Sequence, residues 1–127
     1  MLDPTSKIEI VAADITKEET GAIVNAANPL LANGGGVARA IAVAAGPEFD
    51  KRCREVGETL GCPTGQAVIT DSYDLPSLYV IHAVGPIYNK DSKTQKGELF
   101  DAYYNSLRVA DSINLKTISF RQRLPWY

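Results

Sequence analysis

Three consecutive glycines, Gly34, Gly35 and Gly36, stand between the apolar run "AIVNAA" and the alanine-rich segment "GVARAI", and two asparagines, Asn25 and Asn28, precede them. Consecutive glycines are costly in backbone entropy, so a folded chain carries them where positive φ or the close approach of another group requires it. Between a strand and a helix they leave backbone N–H groups free at a helix N-terminus, where the macrodipole favours negative charge. That is the chemistry of a phosphate-binding loop, and a tight strand-to-helix connection without a ligand is its alternative. Neither the Walker pattern nor the dinucleotide pattern G-x-G-x-x-G occurs, so a phosphate would be held without a lysine.

Asn25 falls within an otherwise apolar strand and Asn28 just after it, at the carboxyl end, where open α/β sheets place ligands. A buried amide needs hydrogen-bond partners, and a ribose with vicinal hydroxyls would supply them; tying down the loop is the other use of both side chains. Asp14, in "AADIT", could accept from an exocyclic amine such as that of adenine, but its residue type favours capping the short turn "ITKEE". His82 is the only histidine. It lies in the apolar strand "YVIHAVGP" and reads as a core imidazole satisfied by backbone rather than as a general base. Cys53, in a helix, and Cys62, in a turn, read as reduced thiols, too few and too far from any His cluster for a zinc site.

The elements that must position these residues alternate between helical and strand-like periodicity, the mark of an α/β domain with a largely parallel sheet. "KIEIVAADI", "AIVNAA", "QAVITDS", "YVIHAVGP" and "TISF" read as strands. The second is apolar throughout, in the manner of a strand covered on both faces. Helices are expected over residues 36–45, with Val37, Ile41 and Ala44 on one stripe, and after Gly46-Pro47, where Phe49, Cys53 and Val56 recur at helical spacing. Glu48 and Asp50 suit the first turn of that second helix. Leu99, Tyr103, Leu107 and Ala110 mark a third, amphipathic helix.

With 127 residues, the chain fits one domain large enough to bury a core. A net charge of −2 argues against a general electrostatic grip on nucleic acid or anionic membrane. No apolar run reaches the length of a membrane span, and "MLDPTSK" lacks the plan of a signal peptide, so a cytoplasmic protein is expected.

Taken together and in order over residues 7–120, "ADIT", "IVNAAN", "GGGVARAI", "AAGP", "CPTGQAVIT", "LP", "YVIHAVGP" and "TISF" resemble the macro domain, an ADP-ribose-binding module. The resemblance implies a three-layer α/β/α fold with a mixed, mainly parallel sheet, and a ligand cleft over the carboxyl ends of the strands. It implies that Asp14 accepts from the adenine amine and that Ile15 supports that end through its backbone. Asn25 would support the strand-end turn, and Asn28 would approach the distal ribose. Gly34, Gly35, Gly36 and Val37 would give N–H groups to the diphosphate and distal ribose. No cofactor and no metal are implied; the expected partners are ADP-ribose or a derivative and ADP-ribosylated protein.

In family members resembling the bacterial deacetylases of O-acetyl-ADP-ribose, an aspartate follows "GGGV", suited to acting on a water near the distal ribose. Here Ala38 occupies that position. Its methyl cannot take a proton, which leaves two readings open: a binding module, or a hydrolase of mono-ADP-ribosylated protein or O-acetyl-ADP-ribose working by a substrate-assisted route. The resemblance also implies a macro domain over residues 1–120 that lacks the family's second phosphate loop, final strand and final helix, followed by a divergent tail over 121–127. A frame change after the Phe120 codon and a true short form both account for that ending. The expected consequences are weaker ADP-ribose binding or none, and destabilisation or self-association through the incomplete sheet and the Trp126-Tyr127 tail.

Overall fold

Side chains alternate across a strand, and in β1 (Ala22–Ala26) both sets are buried: Ala22 and Val24 join one apolar cluster, Ile23 the other. A strand apolar on both faces needs a helical layer on each side. The computed structural model, which describes residues 8–87 and 89–121, has those layers. Ahead of β1 comes a 3-10 turn, Ile15–Lys17; after it come α1 (Gly36–Ala45), α2 (Pro47–Thr59), β2 (Ala67–Asp71), β3 (Tyr79–Ala83), α3 (Gln95–Ser112) and β4 (Ile118–Ser119).

The sheet runs β2-β3-β1-β4. β1 is parallel to β3, with Asn25 opposite His82, and parallel to β4, while β2 is antiparallel to β3. On one face, Ile23, Val80 and Val84 pack with Ile41, Ala42 and Ala45 of α1 and Phe49, Cys53 and Val56 of α2. On the other, Val24, Ile81 and Ala83 pack with Ala102 and Ala110 of α3. Burial of a side chain such as Phe49, wholly removed from solvent, contributes on the order of 2–3 kcal/mol. The expected three-layer fold with a mixed, mainly parallel sheet is therefore the one observed.

Between α1 and α2 the chain turns at Gly46, whose φ of 98° is open to glycine, and Pro47 starts α2 with Glu48 and Asp50 in its first turn. One expected element does not form. Within "KIEIVAADI" residues 8–14 make no ladder, and Ile8 and Ile10 are 77% and 96% exposed. Alternating residues are stable as a strand only beside a neighbour, and among the described residues no strand lies beyond the two-residue edge strand β4. Lys7 and the tail residues 122–127, with Trp126 and Tyr127, lie outside the described residues.

Candidate ligand-binding site

At the carboxyl end of β1 the ladder continues for one bond, Ala27 N donating to Ala83 O at 2.9 Å, and the chain then enters a loop that Asn28 organises. Asn28 Oδ1 accepts from Leu30 N at 3.1 Å and Ala32 N at 3.0 Å, and its Nδ2 donates to Ala32 O at 3.1 Å. The amide is thus bonded to its own loop, the alternative to a ribose contact, although the residue remains exposed. Leu31 follows with φ 55° and no solvent exposure. Left-handed backbone at a bulky residue costs on the order of 1–3 kcal/mol, and burial of its side chain in the α1/α2 core offsets it. From the other side Cys62 N donates to Pro29 O at 2.9 Å, and a side chain at Gly57 would collide with the Leu30 carbonyl, so α2 lies directly on the loop.

Beyond this rigid segment the glycines are open. A Cβ added at Gly34, Gly35 or Gly36 would meet no atom within 4 Å. Gly36 alone has positive φ, 58°, while Gly35 is extended and caps α1 without a side chain. The first N–H of this segment with a backbone acceptor is that of Arg39, bonded to Gly35 O at 3.2 Å. Among the described residues, the N–H groups of Gly34, Gly35, Gly36 and Val37 have no protein acceptor, and they stand at the positive end of a ten-residue helix. Such a constellation can receive an anion.

Asp14 has the capping geometry. Its Oδ1 accepts from Thr16 Oγ1 at 2.7 Å and from Thr16 N at 3.0 Å, and those two bonds, the hydroxyl first, hold the carboxyl below its ordinary range. Neither bond uses Oδ2, and the carboxylate is exposed, so capping leaves it able to accept from a further donor. Ile15 is half-buried against the same α1/α2 cluster as Val37, and the 3-10 turn touches α1.

Asn25 and His82 form a different group, inside the sheet. Asn25 Nδ2 lies 3.0 Å from His82 Nδ1, and His82 Nε2 lies 2.9 Å from Thr70 Oγ1. An amide nitrogen only donates, so in this arrangement Nδ1 accepts and the ring proton sits on Nε2, facing Thr70. Phe49 stacks on the imidazole at 5.6 Å between centroids. Complete burial pushes the His82 pKa down to about 4. The imidazole is therefore a neutral core group, as expected, but side chains rather than backbone satisfy it. Nor does Asn25 reach the strand-end turn: its bond runs across the sheet, and its Oδ1 is buried without a partner among the described residues. Burial raises the Cys53 thiol pKa and lifts that of Cys62 to about 11, which keeps both protonated at neutral pH.

Ala38 lies on α1, 8% exposed, two residues past Gly36. A shallow depression lined by Arg39, Ala42, Val43, Gly46, Pro47 and Asp50 includes none of the glycine-loop residues. Asn33, which the sequence reading passed over, is 8% exposed and donates from Nδ2 to Asp50 Oδ1 at 3.0 Å. Its only signal was a polar residue before the glycines, with a carboxylate 17 positions later.

An α/β/α sandwich in which β1 leads into an open, donor-rich glycine loop ahead of α1 defines a class of three-layer α/β modules. The model of the Macro domain family matches residues 24–122, and the chain belongs to that family. An O-acetyl-ADP-ribose deacetylase of Enterobacter sp. is 48% identical over 115 residues, 90% of this chain and 64% of that protein. Among solved structures, the Oceanobacillus iheyensis macrodomain with ADP superposes with a TM-score of 0.81 at 46% identity, over 85% of this chain and 59% of that one. A Trypanosoma brucei macrodomain in complex with ADP gives 0.72 at 38% identity, over 84% and 42%. This chain spans less than two thirds of the length of these relatives. The Oceanobacillus protein is also known as variants with an asparagine, a glycine or an aspartate replaced, the three positions being spaced seven and then three residues apart; the glycine variant holds ADPR.

Proposed function

We propose that this chain binds ADP-ribose or ADP-ribose-derived groups, with the diphosphate on the N–H groups of Gly34, Gly35, Gly36 and Val37 and the adenine near Asp14. One observation carries the reading. Among the described residues nothing crowds a Cβ at 34 or 35, so a group outside the chain can approach the backbone there closely. A diphosphate fits the unpaired donors and the helix dipole. The ADP complexes of two relatives support the same ligand class. Asn28, Gly35 and Ala38 have the spacing of the asparagine, glycine and aspartate replaced in the Oceanobacillus macrodomain, which supports placing the site on this loop. Asn28 then acts by fixing the loop as well as by facing the distal ribose. Asp14 accepts the adenine amine through Oδ2 while Oδ1 caps the turn.

A second reading, hydrolysis of O-acetyl-ADP-ribose or of mono-ADP-ribosylated protein, is favoured by the name of the Enterobacter relative. Against it stands Ala38, which can neither take a proton nor orient water. His82 does not replace the missing base, being buried and committed to Asn25 and Thr70. We assign binding as the primary function, in the cytoplasm, with ADP-ribosylated protein as the macromolecular partner. Among the described residues no helix is long and apolar enough to cross a membrane. Calorimetry with ADP-ribose tests the assignment: saturable one-to-one heat is expected, and no heat at millimolar ligand contradicts it. Turnover of an ester-linked ADP-ribose substrate, followed by release of free ADP-ribose, separates the two readings.

A further inference from the structure

Three glycines confer open space at the cost of order, since each flexible residue fixed on binding forfeits backbone entropy. Something must hold the loop in place before a ligand arrives. On its carboxyl side the loop runs into α1. On its amino side stands Asn33, nearly buried, whose Nδ2 donates to Asp50 Oδ1 at 3.0 Å. Asp50 is itself fixed, its Oδ2 lying 2.7 Å from Arg54 Nη1 one turn along α2. One carboxylate therefore ties the last residue before the glycines to a helix of the core.

We propose that Asn33, held by Asp50, is a positioning residue of the ligand site: it fixes the departure of the glycine loop so that the N–H groups of Gly34, Gly35, Gly36 and Val37 are directed before binding. This rests on the reading that the loop binds the ADP-ribose diphosphate. Asn33 itself touches no ligand in this scheme. Its contribution comes through the loop, and an acceptor oxygen at position 50 is as necessary as the Asn33 amide.

Charge and positioning make opposite predictions at Asp50. Removing a negative charge near an anion site should by electrostatics alone tighten binding of an anionic ligand. Removing a loop anchor should weaken it. Asp50→Ala removes both the charge and the acceptor; Asp50→Asn removes the charge but keeps an oxygen that accepts from Asn33. The Asp50 side chain is 38% exposed, so both variants are expected to fold.

The test combines calorimetry with ADP-ribose and heteronuclear NOE measurement on the Gly34 and Gly35 amides of the free protein. In Asp50→Ala and Asn33→Ala the expectation is lowered glycine NOEs and affinity weaker by about tenfold, the equivalent of one hydrogen bond, with a less favourable binding entropy. Asp50→Asn should retain the parental NOEs and bind at least as tightly as the parent. Tighter binding by Asp50→Ala, or unchanged NOEs and affinity in folded Asp50→Ala and Asn33→Ala, overturns the proposal. A parent that gives no heat with ADP-ribose overturns the functional reading, and with it the ligand half of the proposal. The NOE comparison still decides whether Asn33 sets the loop.

Discussion

At the scale of single residues, Gly35 carries the sharpest consequence. Its backbone is extended and its surroundings are empty, so Gly35→Glu strains nothing in the protein while placing a carboxylate where negative charge must enter. The variant should melt like the parent and lose ADP-ribose affinity by on the order of 100-fold, about 2.7 kcal/mol. Equal affinity in calorimetry would remove the diphosphate from this loop. His82 bears on stability instead. The unfolded chain takes up a proton near pH 6.5, whereas the folded chain does so only at about pH 4. The stability from the neutral, buried ring is thus complete above pH 6.5 and declines as pH falls toward 4, by roughly 3 kcal/mol over the interval. His82→Gln should flatten that part of the profile. Urea unfolding of both proteins at pH 7 and pH 4.5 measures it, and parallel losses in the two would show that the imidazole does not titrate this way.

At the scale of elements, the continuous apolar runs were readable because β1 and β3 are covered on both faces, and their strand boundaries follow the sequence closely. The run "KIEIVAADI" misled for a physical reason: its propensity is genuine, but a strand exists only with a neighbour, which periodicity cannot supply. The glycine loop was legible because three glycines violate every local preference. Asn33 was not, since a side-chain bond from a loop to the first turn of α2 leaves no periodic trace. The partners of His82 escaped for a related reason, as they depend on the register that sets Asn25 opposite it. Helix α1 suggests an addition. Ala38→Asp puts a carboxylate in its first turn, where the dipole favours acids, at the position where deacetylase-like members carry one. A gain in O-acetyl-ADP-ribose hydrolysis without large loss of ADP-ribose affinity is expected. A folded, binding-competent variant with no added turnover would mean that the surrounding groups are not arranged for that chemistry.

At the scale of the whole molecule, the described residues leave one side of the sheet open. Among the described residues β4 pairs only with β1, and Ile8, Ile10 and Val11 are exposed ahead of the Asp14 cap. Unpaired edges and exposed alternating apolar residues template pairing with another chain. This 127-residue chain is therefore expected to self-associate as its concentration rises, with Ile10→Lys shifting the equilibrium toward monomer. Sedimentation equilibrium over a hundredfold concentration range checks this, and a monomer throughout would contradict it.

The central claim is that an anionic ligand meets bare backbone at the start of α1, and amide chemical shifts report that contact residue by residue. Titration of the labelled chain with ADP-ribose should move the amides of Gly34, Gly35, Gly36 and Val37 most, with smaller changes at Asp14 and Ile15, and leave those of α3 in place. Saturable shifts confined to α3 or to the depression beside Arg39 and Pro47, with the glycine amides unmoved, would contradict the account.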